Sequence, residues 1–199
     1  MTVIMTACAA FGLRVSEAKR GSICLQTKGG GHVPFTVTAA GQAYKQTVAF
    51  VYLGGCISAD WDLQSVEVTL RIQRAWACFG RYKMDIYDRP SVRLCLKVRM
   101  LKTEVLETLL YGCITWSPSK ADYDKIRKVH CLMLSRCLRW RKQTREDHIL
   151  SYANALLRTD SESFETTVRR RRILFAGFVA RMGEGLLPRR VMFWGDARG

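Results

Sequence analysis

Acidic residues are scarce in this sequence. Seventeen Asp and Glu stand against 32 Lys and Arg, which gives a formal net charge of +15 over 199 residues. Such an excess favours a polyanionic partner, because each phosphate that a basic residue neutralises releases counterions. Nucleic acid is the first candidate for this partner, and an anionic membrane surface is the second.

Paired cysteines and catalytic clusters are also missing. The eight cysteines form no CxxC pair, which argues against zinc knuckles and ribbons and favours scattered reduced thiols in an intracellular protein. The three histidines are scattered, no Ser/His/Asp motif is recognisable, and no aspartate pair suited to two metal ions is visible. We therefore expect no complete active site, no metal site and no resident cofactor in this chain.

Long apolar runs are absent as well. No stretch approaches the roughly 20 apolar residues that a membrane span requires. Residues 1–13 are apolar, but the first basic residue, Arg14, follows this stretch, whereas a secretory signal has its basic residues in front. We interpret residues 1–13 as an amphipathic helix that ends at Gly12 within a fold. The expected location is intracellular, either nuclear or cytoplasmic, and the chain is not expected to be secreted.

The hydrophobic pattern of the sequence changes near residue 60. Apolar residues alternate at 22–27 and 33–37 around the triplet 29–31, and residues 47–53 are rich in β-branched and aromatic side chains, a pattern typical of strands. The glycine triplet lacks the Lys-Ser/Thr pair and the helix of a phosphate-binding loop, so a hairpin turn is the better interpretation.

Helical periodicity dominates after residue 60. The predicted helices run from Asp60 or Asp62 to about 87, from Pro90 to about 111, from Ser119 to 140, from a Thr144 cap over a short stretch, and from Ser161 to about 183. In the second helix, Leu94, Val98, Leu101, Val105 and Leu109 share a face, opposite Arg93, Lys97 and Glu104. The predicted fold class is α+β, with a small antiparallel sheet followed by a mostly helical bundle.

Basic residues cluster on two of the predicted helices. On the helix from Ser119, one face carries Lys125, Lys128, Arg136 and Arg139, and the opposite face carries Ile126, Met133, Cys137 and Trp140. This basic face is either a solvated surface or a phosphate-binding surface, and the sequence does not separate the two. On the first helix, Arg71, Arg74 and Arg81 cluster on one side.

Two polar residues fall on apolar helix faces. His130 lies on the apolar side of its helix, where a hydrogen-bonded core histidine is the better interpretation than a metal ligand or a catalytic base. Arg171 falls among Phe164, Val168 and Phe175, so its guanidinium must find an acid, a carbonyl or a phosphate, or reach solvent over a packed stem. We favour the last of these alternatives.

Four stretches resemble, in the same order, motifs of the reverse transcriptases of non-LTR (LINE-type) retrotransposons. They are Phe11-Gly-Leu-Arg-Val-Ser-Glu-Ala-Lys19, Phe50-Val-Tyr-Leu-Gly-Gly55, Leu109-Leu-Tyr-Gly-Cys-Ile-Thr-Trp116, and the arginine-rich residues 169–182 followed by Leu187-Pro188. The sequence departs from the family pattern at Arg20, where Thr is usual, and at Phe178, where His is usual. The resemblance covers almost the whole chain.

The resemblance implies the C-terminal part of such a polymerase. Residues 1–57 would be the end of a palm domain with a primer-grip segment, residues 58–116 thumb-like helices, and residues 117–199 a basic helical extension. Lys19 would lie near the leaving pyrophosphate, and Phe50, Tyr52 and Gly54 would hold the primer end. The basic residues Arg71, Arg74, Arg81, Lys125, Lys128, Arg136 and Arg139 would follow the backbone of the template–primer duplex.

The catalytic Asp-Asp turn of the family is absent, so the chain alone is expected to be inactive. The full-length enzyme would use Mg²⁺ held by those aspartates, and the expected partners are the template–primer duplex and the N-terminal part of the polymerase, with no membrane partner. One alternative is a stand-alone basic helical protein that binds nucleic acid without a polymerase role. Another, a peripheral membrane protein, rests only on charge and amphipathic helices.

Overall fold

The computed structural model describes residues 10–11, 36–39, 42–44, 46–52, 54–58, 63–139 and 150–193. The chain divides into two compact units, Met1–Glu67 and Val68–Gly199. The core of the second unit draws on residues from both sides of position 116. The expected boundaries at 57 and 116 stay predictions.

The first unit contains two antiparallel hairpins. Strand β1 (Val37–Ala39) pairs with β2 (Gln42–Tyr44), and β3 (Ala49–Tyr52) pairs with β4 (Gly55–Ser58). The reversal between β3 and β4 passes through Gly54 at a φ of 83°, a conformation that glycine adopts without steric cost. The predicted strand at 47–53 is thus confirmed as β3, whereas the predicted strand at 22–27 and most of that at 33–37 lie outside the described residues.

Helix α1 spans Leu63–Arg81, and a π-helical turn at Lys83–Tyr87 follows it. The predicted single helix to residue 87 is therefore wrong in its last turn. Stacking explains the change, because the π turn brings the buried Tyr87 ring onto Phe79 with a centroid distance of 3.9 Å.

The next helix is continuous but changes its winding. It runs through α2 (Leu94–Met100), a π-helical segment at Leu101–Leu106, and the short α3 (Glu107–Leu109). Its start lies beyond the predicted Pro90, since Arg93 is still extended. Of the predicted apolar face, Val98, Leu101, Val105 and Leu109 are buried, and Leu94 is exposed.

Three further helices each begin directly after a serine whose side chain caps the first turn. These helices are α4 (Lys120–Cys137), α5 (Tyr152–Thr159) and α6 (Phe164–Ala180), and their caps are Ser119, Ser151 and Ser163. The predicted cap at Ser161 is wrong by two residues, because the Ser163 hydroxyl accepts the Thr166 N–H at 3.1 Å. The predicted Thr144 cap lies outside the described residues. A last helix, α7, spans Leu187–Phe193.

The core of the second unit lies between α1, the 94–109 helix, α4, α5 and the first half of α6. Its largest fully buried apolar side chains are Tyr87, Phe79, Phe164, Leu101, Leu109, Leu110, Ile126, Met133 and Leu134. These residues come from elements far apart in sequence, so the helices form one packed body. Helix α4 crosses this body with one face inward, and that placement determines which of its side chains reach solvent.

Candidate nucleic-acid interface

Helix α4 starts at a capping box. The Ser119 hydroxyl accepts the Asp122 N–H at 3.2 Å, and the Asp122 carboxylate accepts the Ser119 N–H at 3.3 Å. The two hydrogen bonds satisfy donors that the first turn of a helix leaves open. This cap fixes where the helical phase begins, and with it the direction of each basic side chain along α4.

The basic face of α4 points to solvent. Lys125, Lys128 and Arg136 are exposed, and so is Arg139 directly after the helix. On the opposite side Ile126, Met133 and Cys137 are buried, as predicted, whereas Trp140 lies outside the described residues. We call Lys125, Lys128, Arg136 and Arg139 the α4 basic face.

Local contacts order two members of this face. The Lys125 ammonium lies 3.0 Å from the Asp122 carboxylate. Burial alone would raise the pKa of Asp122, but the hydrogen bonds from Ser119 and Lys125 outweigh it and hold that pKa below its usual value. The Arg136 guanidinium lies 4.9 Å from the centre of the Trp76 ring of α1, a cation–π contact that limits its motion. Ordered cations of this kind lose less entropy when they bind a phosphate.

Two other basic side chains of the second unit serve the fold instead. Arg127 joins α4 to α6, since it pairs with Asp124 at 2.8 Å and with Glu165 at 2.6 Å. Lys97 is 2% exposed and donates to the Tyr87 carbonyl at 2.6 Å. The prediction that Lys97 lies opposite the apolar face is therefore wrong, because the end of the π turn supplies a buried acceptor for its ammonium.

The three arginines of α1 are divided between core and surface. Arg71 is 4% exposed, and its guanidinium lies 4.6 Å from the centre of the Tyr111 ring. Arg74 and Arg81 are exposed, and Arg81 donates to the Cys78 thiol at 3.4 Å. Helical spacing alone groups the three, but only Arg74 and Arg81 are accessible to a phosphate.

Two sequence motifs separated by about 60 residues meet in space. Arg171 and Arg172 of α6 reach the segment at 109–116. Arg171 pairs with Glu107 and donates to the Leu110 carbonyl at 3.4 Å. Arg172 hydrogen-bonds to the Trp116 carbonyl and, at 3.4 Å, to that of Cys113. The expectation that the Arg171 head reaches solvent is thus wrong in part: the side chain stays 26% exposed, but its guanidinium is held by Glu107 and the Leu110 carbonyl.

His130 is a core residue, as predicted. The Tyr152 hydroxyl lies 2.8 Å from its Nδ1 and accepts the Phe164 N–H at 3.1 Å. One hydrogen bond therefore joins the hydroxyl to Nδ1, and Nε2 is buried with no hydrogen-bond partner among the described residues. Burial lowers the pKa of His130 to about 4, so the ring is neutral at pH 7.

The remaining predicted site residues belong to the first unit. Phe50 and Tyr52 lie on β3, and Gly54 lies in the reversal that follows. Phe50 is half-buried. Lys19 and the side chain of Tyr52 lie outside the described residues, so the expected roles of these four positions stay predictions.

The described ranges contain neither a metal-binding cluster nor a membrane-spanning helix. No group of three or more His, Cys, Asp or Glu residues there has a geometry that could hold a metal ion. Within the same ranges, each helix is too short or too polar to cross a bilayer.

One known protein is similar to this chain along most of its length. Over 178 residues the chain is 23% identical to an uncharacterized transposon-derived protein of Caenorhabditis elegans. The match covers 89% of this chain and 63% of that protein, so the chain spans less than two thirds of its relative's length. No family model and no solved structure matches the chain.

Proposed function

We propose that this chain is of transposon origin and derives from the C-terminal part of a non-LTR retrotransposon reverse transcriptase. Within that enzyme it would bind the template–primer duplex, with residues 1–57 as the end of the palm and the following helices as thumb and extension. It would position the duplex and contribute no metal-binding aspartates. Polymerase chemistry would then depend on aspartates supplied by another part of the enzyme.

Two independent observations support the origin. The similar C. elegans protein is itself described as transposon-derived. In addition, two of the stretches that resemble family motifs, 109–116 and 169–182, contact each other through Arg171 and Arg172. Motifs that share one packing contact behave as parts of one structural unit.

The α4 basic face is the observation that carries the proposed binding. Lys125, Lys128 and Arg136 lie on one exposed side of α4, over about 17 Å at 1.5 Å per residue. Arg139 follows two residues past the end of the helix, with a φ of 54°. Phosphates along one strand of a duplex are spaced more closely than the length of this row of cations, so several phosphates can be contacted at once. Contacts of this kind position a duplex without reading its sequence.

The salt dependence of duplex binding tests this proposal. Replacing Lys125, Lys128, Arg136 and Arg139 with Gln should weaken binding to any duplex. It should also reduce the slope of log K against log salt by up to about 0.9 for each lost phosphate contact. Gln is about as good a helix former as Lys or Arg, so the melting temperature should fall only by what the Lys125–Asp122 ion pair and the Arg136–Trp76 contact contribute.

A matched variant tests whether position matters. Lys83, Arg89, Arg93 and Arg99 are also exposed, lie on other elements, and include one ion-paired lysine, Lys83 with Asp88 at 3.9 Å. Replacing these four with Gln removes the same charge. If this control lowers the slope as much as the α4 variant does, the proposal that the duplex binds at the α4 basic face is wrong and only the net charge matters.

Primer extension tests the proposed division of labour. The purified chain, given template, primer, Mg²⁺ and dNTPs, should extend no primer above a boiled control while still binding the duplex. Reproducible, dNTP-dependent extension would contradict it. Sequence-specific recognition of one duplex would instead favour a stand-alone binding protein.

A further inference from the structure

The apolar stripe of α6 continues beyond the core. Phe164, Val168 and Val179 are buried, but Phe175 and Phe178, three residues apart on the same stripe, are 39% and 55% exposed. Leu174 beside them is 65% exposed. Between the buried Val168 and Val179, α6 therefore keeps apolar side chains that the described residues leave largely exposed.

Helix α7 enlarges this surface. The Arg189 guanidinium donates to the Met182 carbonyl at 2.7 Å and so attaches α7 to the end of α6. No residue of α7 is buried, and its exposed apolar side chains are Leu187, Val191, Met192 and Phe193. We call Leu174, Phe175, Phe178 and these four residues the α6–α7 apolar face. Contiguous exposed apolar surface on this scale marks an interaction site more often than chance exposure.

Arginines border the apolar side chains on α6. Arg170, Leu174, Phe178 and Arg181 follow one another at spacings of four, four and three residues, which places them along one side of the helix. The row is about 16 Å long at 1.5 Å per residue, with an arginine at each end. Arg170 pairs with Glu162 at 3.0 Å, whereas Arg181 makes no ion pair within the described residues and lies over Gly177.

We propose that the α6–α7 apolar face binds an acidic amphipathic helix of a partner protein. Its apolar side would cover Leu174 and Phe178, and carboxylates about three turns apart would meet Arg181 and Arg170. Charge decides against a second copy of this chain, because self-association would bring together like-charged faces of a chain with a net charge of +15. A nucleic-acid backbone would satisfy the arginines but would leave the leucine and phenylalanine side chains in water.

Synthetic peptides test the proposal on the full chain. The first is an 18-residue peptide with Leu on one helical stripe and Glu elsewhere, the second replaces Glu with Lys, and the third has the first composition in scrambled order. Fluorescence anisotropy should show saturable binding of the first peptide. The second and third should bind at least about tenfold more weakly, since each lacks one of the two complementary features.

Substitutions locate the binding. Leu174→Ser with Phe178→Ser should weaken binding of the acidic peptide by about tenfold or more, because both side chains would be covered by the apolar stripe. The melting temperature should hold, since both are exposed. The matched pair Met84→Ser with Leu157→Ser, also exposed but on other elements, should leave binding unchanged. Arg181→Glu should weaken binding of the Glu peptide and strengthen binding of the Lys peptide.

Three results would overturn the proposal. The acidic peptide could fail to bind, or bind no better than its scrambled form. Light scattering could show a dimer that Leu174→Ser with Phe178→Ser dissociates, which would assign the face to a second copy. The same variant could lose duplex binding, which would make the face part of the nucleic-acid interface.

Discussion

In the described residues, the hairpins at 37–58 are defined by strand pairing, and the helices after residue 68 are defined by a buried core. Each described hairpin pairs only two strands of three or four residues, and a two-stranded hairpin by itself is marginally stable in water. The helices enclose a core from five elements, with Leu101, Val105 and Leu109 fully buried. Backbone pairing therefore defines the hairpins, whereas side-chain burial determines how strongly the helices resist opening.

Amide hydrogen exchange should show the largest difference between the two regions. Amides of the core helices should exchange only through opening whose free energy is near that of global unfolding, roughly 5–15 kcal/mol for a domain of ordinary stability. The opening free energy of the hairpin amides should be a small fraction of that value. The measurement compares residues 42–58 with residues 98–109 in the full chain. Equal protection would mean that the strands are stabilised by packing as strong as that of the helices.

Truncating a core aromatic should have the next largest effect. Phe164→Ala removes a fully buried ring at the start of α6 and should cost about 3–5 kcal/mol in the free energy of unfolding. Phe178→Ala, in the same helix but exposed, should change it by no more than about 0.5 kcal/mol. Urea denaturation followed by helical circular dichroism gives both values. Similar costs for the two would show that Phe178 is covered in solution.

Lowering the pH should destabilise the helices through His130 by a smaller amount. Its pKa is about 4 when folded and about 6.5 when unfolded, so the unfolded chain binds the proton more strongly. The stabilisation from the neutral ring is complete above pH 6.5 and is lost as the pH falls toward 4, by up to about 3 kcal/mol. His130→Phe should remove this part of the dependence. An unchanged pH profile in that variant would show that other groups cause it.

Local periodicity predicted a good part of the helical region. The inward faces at Val98, Leu101 and Val105, the start of a helix at Ser119 and the outward basic face of α4 follow from spacing within one helix. Such patterns repeat every three or four residues and need no knowledge of distant partners.

Two of the wrong predictions depend on partners outside the helix concerned. Lys97 is buried because the Tyr87 carbonyl, ten residues earlier, lies beside it. The Arg171 guanidinium is ion-paired because Glu107, 64 residues earlier, faces it. Neither partner is specified by helical spacing, so a basic residue near the edge of an apolar stripe is ambiguous until the packing is known. The proposed roles at Lys19, Phe50, Tyr52 and Gly54 depend on the resemblance alone.

The contacts of Arg172 also have a consequence for synthesis of the chain. The Cys113 and Trp116 carbonyls that Arg172 holds are made 59 and 56 residues before it. At about 5–20 residues per second, the ribosome needs roughly 3–12 seconds to translate that interval. During this time the turn at 110–116 lacks its final hydrogen-bond donors. A chain that ends before residue 172 would contain the sequence of the earlier helices but would lack the guanidinium that binds these two carbonyls.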